Sequence, residues 1–228
     1  AAARILAGRG VPLTILPVGT ANNIAKSFGI DGAVDDLIEK WGRAELQPFD
    51  LGVARGPWGT RRFLESVGGG LIPAGIAAAQ AHGVDHDEEA AAKVTQAART
   101  YLDVVSHLEA RRCTVSLDGT STMGDFLLVE VLNTPCIGPN LVLSNDASPS
   151  DGFFSVVIAA EEHREEICDY LEHVIAGLEC DLVLDSHRAT RIEIYGREDI
   201  HVDDTLLRST AADMISLRIE PAALQVLA

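Results

Sequence analysis

The feature that most limits the fold is a change of texture at Pro48. From there onward, short runs of β-forming residues follow one another, at 49–54, 62–67, 113–117, 126–132, 153–159, 191–195, 200–202 and 215–219. Gly56-Pro57, Asp118-Gly119 and Asp151-Gly152 read as turns between them, and Asp-Gly is a hairpin signal. Many short strands joined by tight turns predict a mostly antiparallel β domain. Two helical stretches interrupt it. The first, residues 88–110, carries Val94, Ala97, Ala98, Tyr101, Leu102, Val105 and Leu108 as one apolar stripe; the second covers 164–178.

The chain before Pro48 has another character. Residues 1–8 read as the end of a helix with Gly8 or Gly10 as its stop. With no Met start and no N-cap, the expectation is that a preceding segment is missing. Residues 11–18, VPLTILPV, predict a buried parallel strand, and helices follow over 24–28 and 34–41, the latter opening on Asp35 and Asp36. The predicted organisation is the carboxy-terminal part of an α/β domain over residues 1–45, followed by the β domain with two helices over residues 46–228.

Composition removes several functions. Hydrophobic residues make up 47% of the 228 residues but aromatics only 5%, so the core must be built from Ala, Val, Leu and Ile. A net charge of −16 offers no basic footprint for nucleic acid and no broad polybasic face for a membrane. The four cysteines form no Cys-x-x-Cys unit and read as reduced thiols of a cytoplasmic protein. No apolar run reaches the ~18 residues needed to span a bilayer, so membrane contact is expected to be peripheral at most.

Four segments could carry chemistry. In Leu16-Pro17-Val18-Gly19-Thr20-Ala21-Asn22-Asn23 a strand enters a glycine turn and a helix start, which can turn N–H groups and the Thr20 hydroxyl toward a phosphate. An ordinary capped helix would look the same. The triple glycine of Phe63-Leu64-Glu65-Ser66-Val67-Gly68-Gly69-Gly70 reads as a loop after a strand. Residues 145–153, with Ser148, Asp151 and Phe153, are rich in oxygen donors of the kind hard cations prefer, or form a simple hairpin. His201-Val202-Asp203-Asp204-Thr205 places two carboxylates at a strand end, where a solvated turn is the plain alternative.

Taken in order, Gly-Thr-x-Asn, Asp-Leu-Gly, Phe-Leu-Glu-Ser, Leu-Asp-Gly, Asp-Gly-Phe-Phe and Val-Asp-Asp-Thr resemble the diacylglycerol kinase catalytic family, which includes bacterial lipid kinases and sphingosine kinases. The resemblance implies a nucleotide domain like those of phosphofructokinase and NAD kinase, then a β-sandwich, with the active site between them. It implies ATP and Mg2+ as cofactors and a lipid hydroxyl, reached at the inner membrane face, as acceptor. By the same resemblance Gly19, Thr20, Asn22 and Asn23 line the nucleotide phosphates, Ser148, Asp151 and Phe153 hold the magnesium, and Asp203 is the base with Thr205 beside it.

The chain departs from the pattern at several positions. Asn23 and Ser148 stand where the family usually has Asp, and Asp204 and Thr205 replace the last two residues of Asp-Gly-Glu. The Gly-Gly-Asp-Gly-Thr phosphate loop is not in these 228 residues, so the chain is expected to be an incomplete kinase, inactive alone. Two other readings remain: a non-catalytic lipid- or nucleotide-binding relative, and an NAD kinase-like enzyme.

Overall fold

The computed structural model describes residues 2–82, 89–178, 180–182 and 184–228. In chain order they form α1 (Ala2–Leu6), β1 (Leu13–Thr14), α2 (Asn23–Ser27), α3 (Val34–Lys40), β2 (Leu46–Gly56), β3 (Gly59–Phe63) and β4 (Ser66–Gly70). Next come α4 (Leu71–His82), α5 (Ala90–His107), β5 (Arg111–Leu117), β6 (Thr120–Leu132), β7 (Cys136–Ile137), β8 (Leu141–Val142), β9 (Phe154–Ala160) and α6 (Arg164–Ala176). The chain closes with β10 (Ser186–Ala189), β11 (Arg191–Tyr195), β12 (Asp199–Val202), β13 (Thr205–Arg208) and β14 (Met214–Leu227).

The main strand order is β13-β12-β4-β6-β5-β11-β14-β2-β3, and every neighbouring pair along it is antiparallel. β6 does two jobs. Its first half pairs with β5, and after an irregularity between Phe126 and Leu128 its second half lies between β4 and β9. Alternation then splits its side chains: Val129 and Val131 enter the sandwich core with Val67, Ile192, Ile215 and Leu217, while Leu128 and Leu132 face the helices. Phe63 stacks on Phe154 at 5.5 Å inside the sandwich. Both faces of β6 are therefore dry, which explains its near-continuous apolar run.

The helical layer packs Leu71 and Ile72 of α4, Tyr101 and Val105 of α5 and Ile167 and Leu171 of α6 against that second face. A third cluster joins the amino-terminal residues to the sheet: Ala25, Phe28 and Ile30 bury against Phe49, Leu51, Leu224 and Val226. The Phe28 and Phe49 rings meet edge to face at 5.1 Å. Each such buried side chain contributes roughly 1.5–3 kcal/mol.

Several expectations need correction. Residues 11–18 are not a buried strand: only Leu13 and Thr14 pair, in parallel with Val226 and Leu227, and Val11 and Val18 are exposed. The run 62–67 is two strands, β3 and β4, broken at Leu64-Glu65. Gly68-Gly69-Gly70 is strand β4 itself and not a loop. A Cβ on Gly68 would lie 2.0 Å from Glu130 Oε2 and 2.3 Å from the Val129 carbonyl, so the glycines exist to admit side chains against the sheet.

Where the sequence predicts two helices in the β domain, the described residues form three, α4, α5 and α6. α4 (LIPAGIAAAQAH) is apolar on all sides because it lies between the sheet and α5, so it carries no stripe to read. Asp151-Gly152 is not a hairpin but the end of a loop leading to β9, whereas Asp118-Gly119 does join β5 to β6. Arg164–Ala176 and Val34–Lys40 fall where expected. The long helix is observed over Ala90–His107, and its expected start at Glu88, like Ala1, lies outside the described residues.

Candidate active site

Asp203 and Asp204 form the two-residue turn that joins β12 to β13, across the Val202–Thr205 pair. Asp203 takes φ 52°, a left-handed conformation that Asp tolerates better than most residues. Its N–H donates to the Ser66 carbonyl at 2.9 Å. Its carboxylate accepts from the Leu64 N–H at 3.0 Å and the Glu65 N–H at 2.9 Å. The break between β3 and β4 is thus the mount for this side chain. Asn133, wholly buried, holds the mount in turn: its amide donates to the Leu64 carbonyl at 2.9 Å and the Asp50 carbonyl at 3.0 Å, and its N–H to the Glu65 carbonyl at 2.8 Å.

Behind the turn lies a buried pair. His201 Nε2 meets Glu130 Oε1 at 2.8 Å and His201 Nδ1 meets the Asp203 carbonyl at 2.7 Å. Burial pulls the imidazole pKa down, but the Glu130 carboxylate and the Asp203 carbonyl more than offset it, so His201 stands above its ordinary value. An acceptor on each ring nitrogen makes it an imidazolium donating to both.

A cavity of about 520 Å³ opens in front of the turn. Thr20, Asn23, Glu65, Asp203 and Asp204 line it together with the aliphatic Ile72 and Ile76 of α4, Val94 and Ala97 of α5, and Ile137, and the same two helices add Gln80, Lys93 and Tyr101. Glu65 is the most perturbed acid here. Burial first, then the Asp203 charge, push its carboxyl up to about 7, with hydrogen bonding from Asn23 partly opposing.

The sequence-predicted residues divide. Thr20 and Asn23 reach the cavity beside Asp203; Gly19 and Asn22 do not line it. Asn22, at φ 56°, accepts from the Gly19 N–H at 2.8 Å and donates to the Gly19 and Pro17 carbonyls. The Gly19 N–H and the Asn22 side chain are therefore engaged within their own loop. Asn23 is buried, donates to the Gly138 carbonyl at 3.1 Å, and its Oδ1 has no partner within the protein. Thr205 begins β13, and its hydroxyl donates to Asp204 Oδ1 at 3.2 Å.

The 148–153 loop does not suit magnesium. The Asp151 carboxylate accepts from the Phe153 N–H at 3.0 Å and from Arg188 at 2.8 Å, and the same guanidinium lies 4.4 Å over the Phe153 ring. Ser148 and Ser150 face each other at 3.4 Å. A fixed cation thus already neutralises the loop's carboxylate, and a hydroxyl is a poor replacement for a second one. The loop is pinned instead by buried Asp50, which accepts from the Gly152 and Ala222 N–H groups, both at 2.7 Å. Among the described residues no group of three His, Cys, Asp or Glu could hold a metal.

Glu65, Glu130, His201 and Asn133 were not singled out by sequence reasoning. The available signal was a lone Glu in the apolar run Phe126–Leu132 and a lone His in Asp199–Val202, each pointing into a dry layer that only a partner makes tolerable.

A carboxylate turn on a β-sandwich with a helical layer thus shares one cavity with Thr20, Ala21 and Asn23 of the amino-terminal loop. Residues 70–228 match the family model described as the YegS C-terminal NAD kinase beta sandwich-like domain, and residues 1–54 match the diacylglycerol kinase catalytic domain. The chain belongs to the diacylglycerol kinase catalytic family. It is 25% identical over 240 residues to a diacylglycerol kinase of Mycobacterium tuberculosis (strain H37Rv), covering 99% of this chain and 72% of that protein. A Bacillus subtilis (strain 168) diacylglycerol kinase is 22% identical over 204 residues, covering 84% and 61%. The crystal structure of a diacylglycerol kinase from Bacillus anthracis str. Sterne superposes with a TM-score of 0.67 at 17% identity, covering 95% of this chain and 68% of that one. Among the described residues no helix is long and apolar enough to cross a membrane.

Proposed function

We propose that this chain supplies the acceptor side of an ATP-dependent lipid kinase, with the lipid hydroxyl bound in the 520 Å³ cavity against Asp203. One observation carries the reading: the same cavity joins Thr20 and Asn23, the carboxyl groups of Glu65 and Asp203, and the aliphatic side chains of Ile72, Ile76, Val94 and Ala97 from α4 and α5. An acyl chain lies along those aliphatic side chains and its hydroxyl meets the carboxyl groups.

The chemistry follows from that placement. As the lipid oxygen bonds to the γ-phosphorus and the bond to the β-phosphate oxygen breaks, the hydroxyl proton passes to the Asp203 carboxylate. The N–H groups of Leu64 and Glu65 hold that carboxylate in place, which limits the reorganisation needed at the transition state. Thr20 and Asn23 bind on the phosphate side. The domain division we assign, residues 1–45 for the nucleotide side and 46–228 for the acceptor side, runs along the third hydrophobic cluster. No step is assigned to a metal at the 148–153 loop.

The Gly-Gly-Asp-Gly-Thr run is absent from these 228 residues. Lipid phosphorylation is therefore assayed in this chain and in a version carrying a segment with that run ahead of it. We expect turnover only in the second, because a backbone phosphate cradle stabilises transition-state charge. Ile76→Trp, which crowds those aliphatic side chains, should raise KM for the lipid and leave that for ATP unchanged. Equal effects on both substrates would contradict that placement of the acyl chain.

A further inference from the structure

A second cavity, of about 220 Å³, lies on the opposite side of α4. Pro73, Ala74 and Ala77 face it, whereas Ile72 and Ile76 face the first. The β12–β13 hairpin is shared in the same way, its tip in the first cavity and Asp199 and Arg208 at its open end in the second.

Arg197 lines this second cavity and is only 3% exposed. Its Nε and Nη2 have no hydrogen-bond partner within the protein. The side chain enters because β4 is glycine at two successive positions: a Cβ on Gly69 would lie 3.0 Å from Nε, and one on Gly70 would lie 2.4 Å from Nη2. The other cations of the cavity are engaged at its rim, Arg111 with Glu198 at 3.8 Å and Arg208 with Asp199 at 2.5 Å, and Glu109 lines it as well. Burial pulls the Arg197 pKa below its ordinary value, with Cys113 and Asp199 opposing and Arg111 adding to it, yet a guanidinium stays charged in any ordinary buffer.

A buried guanidinium with unpartnered N–H groups is costly, and those groups match the oxygens of a phosphate. The cavity is smaller than the roughly 300–1,000 Å³ of drug-sized ligand sites, which suits a small anion and not a nucleotide. We infer that this cavity binds a phosphate group through Arg197, presented either as a free phosphate or as the headgroup of a lipid. The inference does not depend on the acceptor reading of the first cavity.

The test is thermal melting of the 228-residue chain in inorganic phosphate, against chloride at equal ionic strength. A saturable rise in melting temperature is expected, weakened at least tenfold in apparent affinity by Arg197→Met. Ala77→Phe fills the cavity and removes no charge, so it keeps the test sound if Arg197→Met does not fold; it should abolish the rise. A second arm sediments the protein with phosphatidylcholine vesicles with and without phosphatidic acid. Binding that needs phosphatidic acid and Arg197 assigns the site to a lipid headgroup; a response to inorganic phosphate alone assigns it to a soluble phosphate. Binding of neither probe, or binding indifferent to both substitutions, overturns the inference.

Discussion

Glu65 and Asp203 set each other's state: the Glu65 N–H donates to Asp203 Oδ1 at 2.9 Å, while the Asp203 charge helps burial push the Glu65 carboxyl up to about 7. One residue's backbone fixes the carboxylate that its own side chain cannot comfortably join in ionised form. A carboxyl raised to about 7 beside a second acid can change its protonation near neutral pH, the range in which acid–base chemistry operates.

The Glu65 shift has a signed consequence for stability. Its carboxyl titrates near 4.5 when unfolded and about 7 when folded, so folding is penalised as pH rises through that window and carries the full penalty above it. Glu65→Gln should stabilise the protein at pH 8 by about 3 kcal/mol and leave stability at pH 4 unchanged. Urea unfolding at the two pH values checks this. A difference that does not vary with pH would show that Glu65 is not held in this way.

The buried pair should be costly to break. Glu130→Leu leaves the imidazole without its main counter-charge in a dry layer and should destabilise the fold by about 3–5 kcal/mol. Because His201 is raised in the fold, its contribution is complete below its unfolded value and is lost as pH rises through the folded one. In Glu130→Leu, histidine NMR should find its pKa below the ordinary value. An unchanged His201 titration would contradict the pair.

At the 148–153 loop, Arg188 pairs with Asp151, the carboxylate that the family resemblance assigns to a metal. Chelator should not lower the melting temperature, and Arg188→Met should cost about 1 kcal/mol, the worth of an exposed ion pair and a cation–π contact. Adding Ser148→Asp to Arg188→Met should make the melting temperature rise with magnesium. A drop in wild-type stability on chelation would show that a metal is held there.

Much of the β domain was legible because alternation and turn chemistry are local. Asp118-Gly119 marks its hairpin, with φ 48° and 94° at the two residues, and the α5 stripe buries Ala98, Tyr101 and Val105. α4 was hidden, since a helix buried on several sides has no periodicity to show. The triple glycine misled for a different reason: its cause is the approach of Glu130 and Arg197, residues far away in sequence. The site was half legible. Asp203, Thr20 and Asn23 were marked by motif, but Glu65, His201 and Glu130 gain meaning only when the strands bring them together. Asp151 looked like a cation ligand because Arg188, the residue that engages it, lies 37 positions along the chain.

The central claim is that Asp203 takes the proton of a lipid hydroxyl in the first cavity. Asp203→Asn and Asp204→Asn, made separately in the version that carries the phosphate-loop segment, test it through kcat for lipid phosphorylation and Kd for ATP. The account predicts that Asp203→Asn lowers kcat by roughly 10²-fold or more, that ATP affinity is nearly intact, and that Asp204→Asn retains most turnover. Near-normal kcat in Asp203→Asn, or a collapse confined to Asp204→Asn, would contradict it.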